Sequence, residues 1–462
     1  MGVGISDWRL ARAVSRCGQL GVVSGVGLDT MLVRRLEDGD PGGHMRRAMA
    51  HFPIANALAA LERYLRPRSL DPAAPYTLLP LYKLAASPSR QQLSMLGAFV
   101  EVWLAKAGHD GLVGINLLTK IQPPTLPTLY GAMLAGVDYV LMGAGIPREI
   151  PAALDLLAQH QPAQLRLELV GAIEGDAPRL RFDPREHWQR LPAPLARPKF
   201  LPIVASTLLA NVLMKKATGR VDGLVIEGPT AGGHNAAPRG ELRLNERGEP
   251  IYGERDIVDL ARIRELGVPF WIAGGMGSPS GLRQARAAGA AGVQVGTLFA
   301  YCDESGMAEH LKRSVLEQAA HGGVRVRTDL RASPTGYPFK LVEWPADPAA
   351  GVLRERVCDL GYLREPYITR AGTVGFRCPG EPEDTYVKKG GRREDTVGRL
   401  CLCNGLLATA GHPQRRKGGI EPPIVTSGDD LERISEFLSG RERYRAVDVI
   451  RYLLGDANTM AS

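Results

Sequence analysis

Cysteine is scarce in this chain: six residues in 462, at Cys17, Cys302, Cys358, Cys378, Cys401 and Cys403. That is no disulfide framework, and a reducing, cytoplasmic location is the expectation. Aromatic residues are few as well, at 6%, and they do not interleave with the basic pairs Arg34–Arg35, Arg46–Arg47 and Arg392–Arg393 or with the run Arg415–Arg416–Lys417. The net charge of +8 is therefore dispersed, which argues against a nucleic-acid partner. No apolar run reaches membrane-spanning length, and the N-terminus lacks a basic-then-apolar leader pattern, so no membrane partner is expected. There is no separate dinucleotide-binding glycine fingerprint.

Glycine (54) and proline (34) are plentiful. They punctuate a repeating pattern. Seven continuous apolar runs of strand length occur at Leu20–Ser24, Gly111–Leu117, Asp138–Gly143, Leu201–Ala205, Asp222–Glu227, Pro269–Ala273 and Gly292–Gly296. Continuous rather than alternating apolar runs are expected of strands buried on both faces of a parallel sheet. Between them lie helical patterns such as Ser6–Cys17, Thr207–Thr218, Glu254–Leu266 and Pro279–Ala288, with Ser6 and Ser278 as N-caps. This alternation predicts an α/β fold with a parallel sheet, and a closed barrel of that kind has eight strands. The strand that should precede the first helix is missing from the sequence.

Two segments depart from the repeat: residues 40–74, and residues 165–200 with two strand-like pieces followed by proline-rich sequence. Residues 1–330 are expected to form the barrel, and residues 331–462 a C-terminal, α-rich extension of unassigned role. The extension carries four of the six cysteines.

Three turns at strand ends carry the chemical signal. In Ile226-Glu227-Gly228-Pro229-Thr230-Ala231-Gly232-Gly233-His234 a buried strand runs into paired glycines and then a histidine. Glycines let backbone N–H groups approach a ligand, and a histidine there suits proton transfer. A solvated histidine in a structural turn is the competing reading. The second turn is Ala273-Gly274-Gly275-Met276-Gly277-Ser278 and the third Gln294-Val295-Gly296-Thr297. On consecutive strands they match the phosphate site that the last two strand–helix loops form in many barrels.

With these residues in place, the chain resembles the nitronate monooxygenase (2-nitropropane dioxygenase) family of FMN enzymes over Met1 to about Met307. The likeness lies in Val3–Gly21, Asn116, Ala231–His234, Ala273–Met276 and Gln294–Thr297. The resemblance implies a (β/α)8 TIM barrel with FMN as cofactor. It implies His234 as catalytic base, Gly232 and Gly233 lining the flavin, and Asn116 beside it. Met1 and Gly2 would form a turn facing the ring system. Ala273, Gly274, Gly275, Gln294, Gly296 and Thr297 would cradle the ribityl phosphate. Flavin enoyl-acyl carrier protein reductases, including polyketide and fatty-acid synthase forms, share the Gly-Gly-His arrangement. Glu227 stands where those reductases carry Glu and many monooxygenases Gln. The family's first strand is absent, and a start codon assigned too late is the simplest account. Gly2 then belongs to the flavin loop, so the match of Met1–Ser6 to a myristoylation pattern is taken as chance.

The expected reaction is oxidation of alkyl nitronates by dioxygen to a carbonyl compound and nitrite. NAD(P)H-dependent enoyl reduction on a thioester is the alternative, and a non-catalytic flavin-binding assembly module the third reading. The expected partners are the small-molecule substrate and dioxygen, with homo-oligomerisation left open. Cys358, Cys378, Cys401, Cys403 and His412 could supply metal ligands, but small buried hydrophobes are the plainer reading, and no metal is expected. His44 and His51 could assist a substrate, Lys388–Lys389 could meet a phosphate, and Asp303–Ser305 is expected to cap the next helix.

Overall fold

The computed structural model describes residues 2–455 apart from 67, 69, 70, 72, 171–176 and 353. The apolar runs form seven parallel strands. These are β1 (Gly21–Ser24), β2 (Val113–Leu118), β3 (Tyr139–Gly143), β4 (Lys199–Val204), β5 (Leu224–Glu227), β6 (Phe270–Ala273) and β7 (Gly292–Gln294). They pair side by side in chain order. A doubly wound sheet reverses its strand order at a switch point, whereas this unbroken order is that of a barrel wall. Among the described residues, β1 and β7 each pair on one side only.

Register decides which residues share a level. Glu227 of β5 stands opposite Ala273 of β6, and Ala273 opposite Gln294 of β7. Ser24 of β1 stands opposite Asn116 of β2. The C-terminal strand ends therefore bring distant sequence positions into one rim.

Helices cover the outer face. Helix α1 (Trp8–Arg16) is capped by Asp7, whose carboxylate accepts the N–H groups of Arg9 and Leu10. Ser6, expected as the cap, instead donates its hydroxyl to Val22 O at 2.6 Å. Helix α2 (Leu28–Glu37) packs on α3 (Pro88–Lys106), which packs in turn on α4 (Thr125–Leu134) and over β1 and β2. Helices α3 and α4 cross at backbone contact, where a Cβ on Gly131 would stand 2.1 Å from Met95 O, and so do α2 and α3, where one on Gly97 would stand 2.6 Å from the Leu28 carbonyl carbon. The helix expected over Glu254–Leu266 splits into a 3-10 turn at Glu254–Asp256 and a short helix at Leu260–Arg264. Asp259 starts the second piece by accepting the Arg262 N–H, so the chain breaks where a carboxylate offers a better cap than a continued turn.

Residues beyond 300 pack back on the barrel. Helix α5 (Pro279–Ala287) belongs to the wall, and Ser278 caps it through the Gly281 N–H. Helix α6 (Glu309–Ala320) and the antiparallel strands β8 (Arg325–Asp329) and β9 (Phe339–Glu343) follow. They share a core with α7 (Leu402–Thr409), α8 (Ala446–Leu454) and the N-terminal residues Val3, Ile5 and Leu10. Asp303–Ser305 does not cap α6. Glu304 instead accepts the Ala446 N–H at 2.9 Å and so caps α8, over a hundred residues away. Among the described residues no helix is long and apolar enough to cross a membrane.

Candidate active site

Strand β5 delivers Glu227 to the rim, and the following turn carries Gly232, Gly233 and His234. Gly233 has φ +80°, a conformation L side chains rarely adopt, and it aims the chain at His234. Strand β9 runs beside this turn: Lys340 N–H donates to Gly233 O and Asn235 N–H to Pro338 O, each at 2.9 Å. The rings of His234 and Phe339 meet edge-on at 4.9 Å. Nε2 of His234 lies 2.6 Å from Ser333 Oγ, and that hydroxyl is 2.8 Å from Thr335 Oγ1.

These groups open on a cleft of about 950 Å³, lined by Gly2, Asn116, Glu227, Gly232, Gly233, His234 and Gln294 on the barrel side. The structure brings these seven candidates into one cavity. Gly274, Gly275, Gly296 and Thr297 lie on the neighbouring turns, outside the cavity lining. Ala273 stands in register between Glu227 and Gln294, with its carbonyl accepting the Gly228 N–H. Met1 lies outside the described residues.

Burial sets the protonation of both titratable groups. It pushes Glu227 up to about 7 and His234 down to about 4, because a low-dielectric surround disfavours either charge. At neutral pH the imidazole is neutral, and Glu227 keeps its proton far more readily than an exposed carboxylate.

The glycines differ in what they face. A Cβ on Gly233 or Gly296 would meet no atom of the described chain within 4 Å, so both face open space. Gly274 and Gly275 have consecutive positive φ values (+92° and +68°) and pack against the turn after β5, where a Cβ on Gly274 would strike Ala231 N at 2.8 Å and one on Gly275 would stand 3.1 Å from Thr230 Oγ1. Gly2, Asn116, Gly232, Gly233 and Gln294 line the cleft, whereas the turns after β6 and β7, expected to cradle a phosphate, are engaged by the C-terminal chain: the Gly277 N–H donates to Asp430 and Thr297 Oγ1 accepts the Gly428 N–H.

The C-terminal chain supplies what the sequence reading missed. Ser333 orients the histidine. Thr426–Asp430 forms a strap across all three turns: Thr426 Oγ1 accepts the Gly233 N–H (3.0 Å), Gly428 N–H donates to Thr297 Oγ1 (3.0 Å), and Asp430 accepts the Gly277 N–H (3.1 Å). Tyr362, Leu363, Leu402, Cys403, Leu406 and Leu407 form the opposite wall of the cleft. Only the Leu402–Leu406 and Cys403–Leu407 spacing hinted at a helix face.

Other candidates lie elsewhere. The His44 ring contacts Arg47 and Trp8, and His51 stacks on Trp103 at 4.5 Å. Lys389 is paired with Glu381 at 2.7 Å. His412 Nδ1 lies 2.9 Å from Asp38, and among the described residues no group of three or more His, Cys, Asp or Glu side chains could hold a metal ion.

A glycine-rich rim at the C-terminal ends of parallel strands, with a histidine and a carboxylic acid in one cleft, defines a barrel-type ligand site. Residues 195–334 match the family model for nitronate monooxygenase, and that segment is similar to the nitronate monooxygenases. A probable nitronate monooxygenase of Bacillus subtilis is 35% identical over 113 residues, 24% of this chain and 30% of that protein. The nitronate monooxygenase of Pseudomonas aeruginosa is 30% identical over 188 residues, 41% of this chain and 46% of that protein. The chain thus matches less than half the length of each. The structure of FabK from Thermotoga maritima aligns with a TM-score of 0.48 at 15% identity, covering 99% of this chain and 90% of that one.

Proposed function

We propose that the protein is an FMN-dependent oxidoreductase that oxidises alkyl nitronates with dioxygen to a carbonyl compound and nitrite. The observation that carries this reading is His234: a ring kept neutral by burial and fixed at Nε2 by Ser333, sharing one cleft with Asn116, Glu227 and Gln294. When bound there, FMN would accept electrons from the substrate and pass them to dioxygen. The protein's own groups bind and orient. With Nε2 accepting the Ser333 hydroxyl, the neutral imidazole carries its proton on Nδ1, and that N–H can donate to a nitronate oxygen without adding charge to the cleft. Burial lowers the basicity of His234, which favours consumption of the preformed nitronate over proton removal from nitroalkane carbon. Asn116 and Gln294 can donate amide N–H groups to the same anion or to the flavin.

The test is anaerobic addition of ethyl nitronate to the FMN-loaded protein. Rapid bleaching of the visible flavin band, slowed at least tenfold in His234→Ala, is expected. An unchanged band removes the reading. One observation favours a second reaction, enoyl thioester reduction with NAD(P)H: Glu227, pushed up to about 7, keeps a proton beside His234, and reduction of an enoyl group must deliver one to carbon. Bleaching by NADPH, followed by reoxidation with an enoyl thioester, would select it.

A further inference from the structure

The turn after β6 runs into α5 at the barrel rim, a setting in which backbone N–H groups hold an anion. Here the C-terminal strap already holds it. Asp430 sets its carboxylate on the Gly277 N–H at 3.1 Å, one residue before the Ser278 cap, and a Cβ on Gly277 would stand 2.6 Å from that carboxylate. Gly428 lays its N–H on Thr297 Oγ1, and the Asp429 N–H donates to Thr230 O at 3.1 Å. A Cβ on Gly232 would meet Gly428 N and the Ser427 carbonyl carbon, each at 2.7 Å. The strap therefore lies at backbone contact with the turn after β5 and leaves no layer between them for a ligand.

Both ends of the strap are pinned. The Val342 N–H of β9 donates to Val425 O at 3.0 Å, and past the strap Leu431 is wholly buried and Glu432 accepts the Val326 N–H of β8 at 2.7 Å. Between these anchors, residues 426–430 are held by the turns themselves and by the ion pair of Asp429 with Lys340 at 2.5 Å. Asp430 feels Asp429 beside it and Arg433, which is itself bonded to Glu436. A phosphate arriving here meets a carboxylate on the donor it needs, and like charges at contact repel.

We infer that residues 426–430 are an internal competitor for the phosphate of a bound flavin: the chain recognises the cofactor by its ring system and admits the phosphate only by displacing the strap. The inference rests on the flavin reading above and departs from it in one respect, since these turns, as the strap holds them, do not fit a phosphate. A phosphate without its donors adds little affinity, so riboflavin should bind about as well as FMN. Freeing the Gly277 N–H should tighten FMN about tenfold or more, the worth of a hydrogen bond to a charged group, and leave riboflavin alone, because Asp430 does not line the cleft.

The experiment titrates the full chain, stripped of flavin, with riboflavin and with FMN and reads flavin fluorescence. The expected Kd values lie within about fivefold of each other, and Asp430→Ala strengthens FMN binding at least tenfold with riboflavin changed less than twofold. A larger wild-type preference for FMN, or a preference that Asp430→Ala leaves unchanged, overturns the inference. Amide hydrogen exchange follows the strap in the wild-type chain, so a variant that does not fold leaves the outcome decided. FMN should speed exchange at Gly428 and Asp429 at least threefold and riboflavin should not; slower or unchanged exchange with FMN overturns the inference. If neither flavin binds, the flavin reading falls, and inorganic phosphate takes the place of FMN in the exchange measurement. Faster exchange at Gly428 and Asp429 then supports the strap as competitor, and unchanged exchange overturns it.

Discussion

Glu227 and His234 show burial reversing an expected order: the carboxylic acid keeps its proton near neutrality and the imidazole loses its own far below it. Each shift carries a stability signature. The folded pKa of Glu227, about 7, lies above the unfolded value of about 4.3. Between those values the native state holds a proton that the unfolded chain has released. Stability is therefore full below the unfolded pKa, declines as pH rises through the window, and levels off above about 7. Glu227→Gln should remove that decline, so that the Tm difference between pH 5 and pH 8 shrinks; an unchanged difference would show that Glu227 is solvated. His234 acts on the acid side, where an unfolded chain that binds a proton below about 6.5 costs stability down to about 4. Ser333 acts through that histidine. Ser333→Ala removes one hydrogen bond, about 1–1.5 kcal/mol, and should lower kcat/KM on a nitronate about tenfold while flavin content stays at the wild-type level. Flavin loss in parallel would mean that Ser333 supports the fold rather than the ring. The sequence offered His234 and Glu227 as candidates because glycines flank them at a strand end. Ser333 was illegible, since nothing in its own surroundings marks a serine 99 residues downstream as a histidine partner.

At the scale of elements, the strand runs read cleanly because both faces of β2 and β3 are buried and their apolar runs are uninterrupted. Helix ends read less well. Asp7 outcompeted Ser6 as a cap because the Ser6 hydroxyl had a strand carbonyl to bond, and Asp259 divided a helix that periodicity alone would have continued. The α3–α4 crossing depends on Gly131 being without a side chain at Met95. Gly131→Ala should therefore destabilise the protein by about 1–3 kcal/mol despite the better helix propensity of alanine, and urea unfolding checks it. A midpoint equal to or above wild type would mean that the helices separate without cost.

Across the whole molecule, the C-terminal chain is tied to the barrel through a buried polar cluster. Tyr362 donates its hydroxyl to Asp29 and lies 2.6 Å from Thr30 Oγ1, while Arg90 meets Asp29 at 2.6 Å. Burial works against the charge on Asp29, and Arg90, Tyr362 and Thr30 together outweigh it, holding the carboxylate below its usual range. Tyr362→Phe should cost about 1.5–3 kcal/mol, the worth of a hydrogen bond to a charged group. Because Tyr362 also lines the cleft, residues after 331 should become more accessible to limited proteolysis. Equal stability and equal cleavage would show that the apolar contacts alone hold the chain down.

The sequence by itself determined the strand order, the parallel sheet and the glycine turns at the strand ends. Those features are local: an apolar run or a positive-φ glycine needs only its neighbours to declare itself. It placed Gly2, Asn116, Glu227, Gly232, Gly233, His234 and Gln294 as candidates for one site, and register between parallel strands is the physical reason they meet. Only the tertiary structure decided what closes the cleft. Ser333, Tyr362, Leu402, Leu406 and the strap Thr426–Asp430 reach it by long-range packing, and the energy that holds them there lies in burial and unlike-partner contacts that no sequence period encodes.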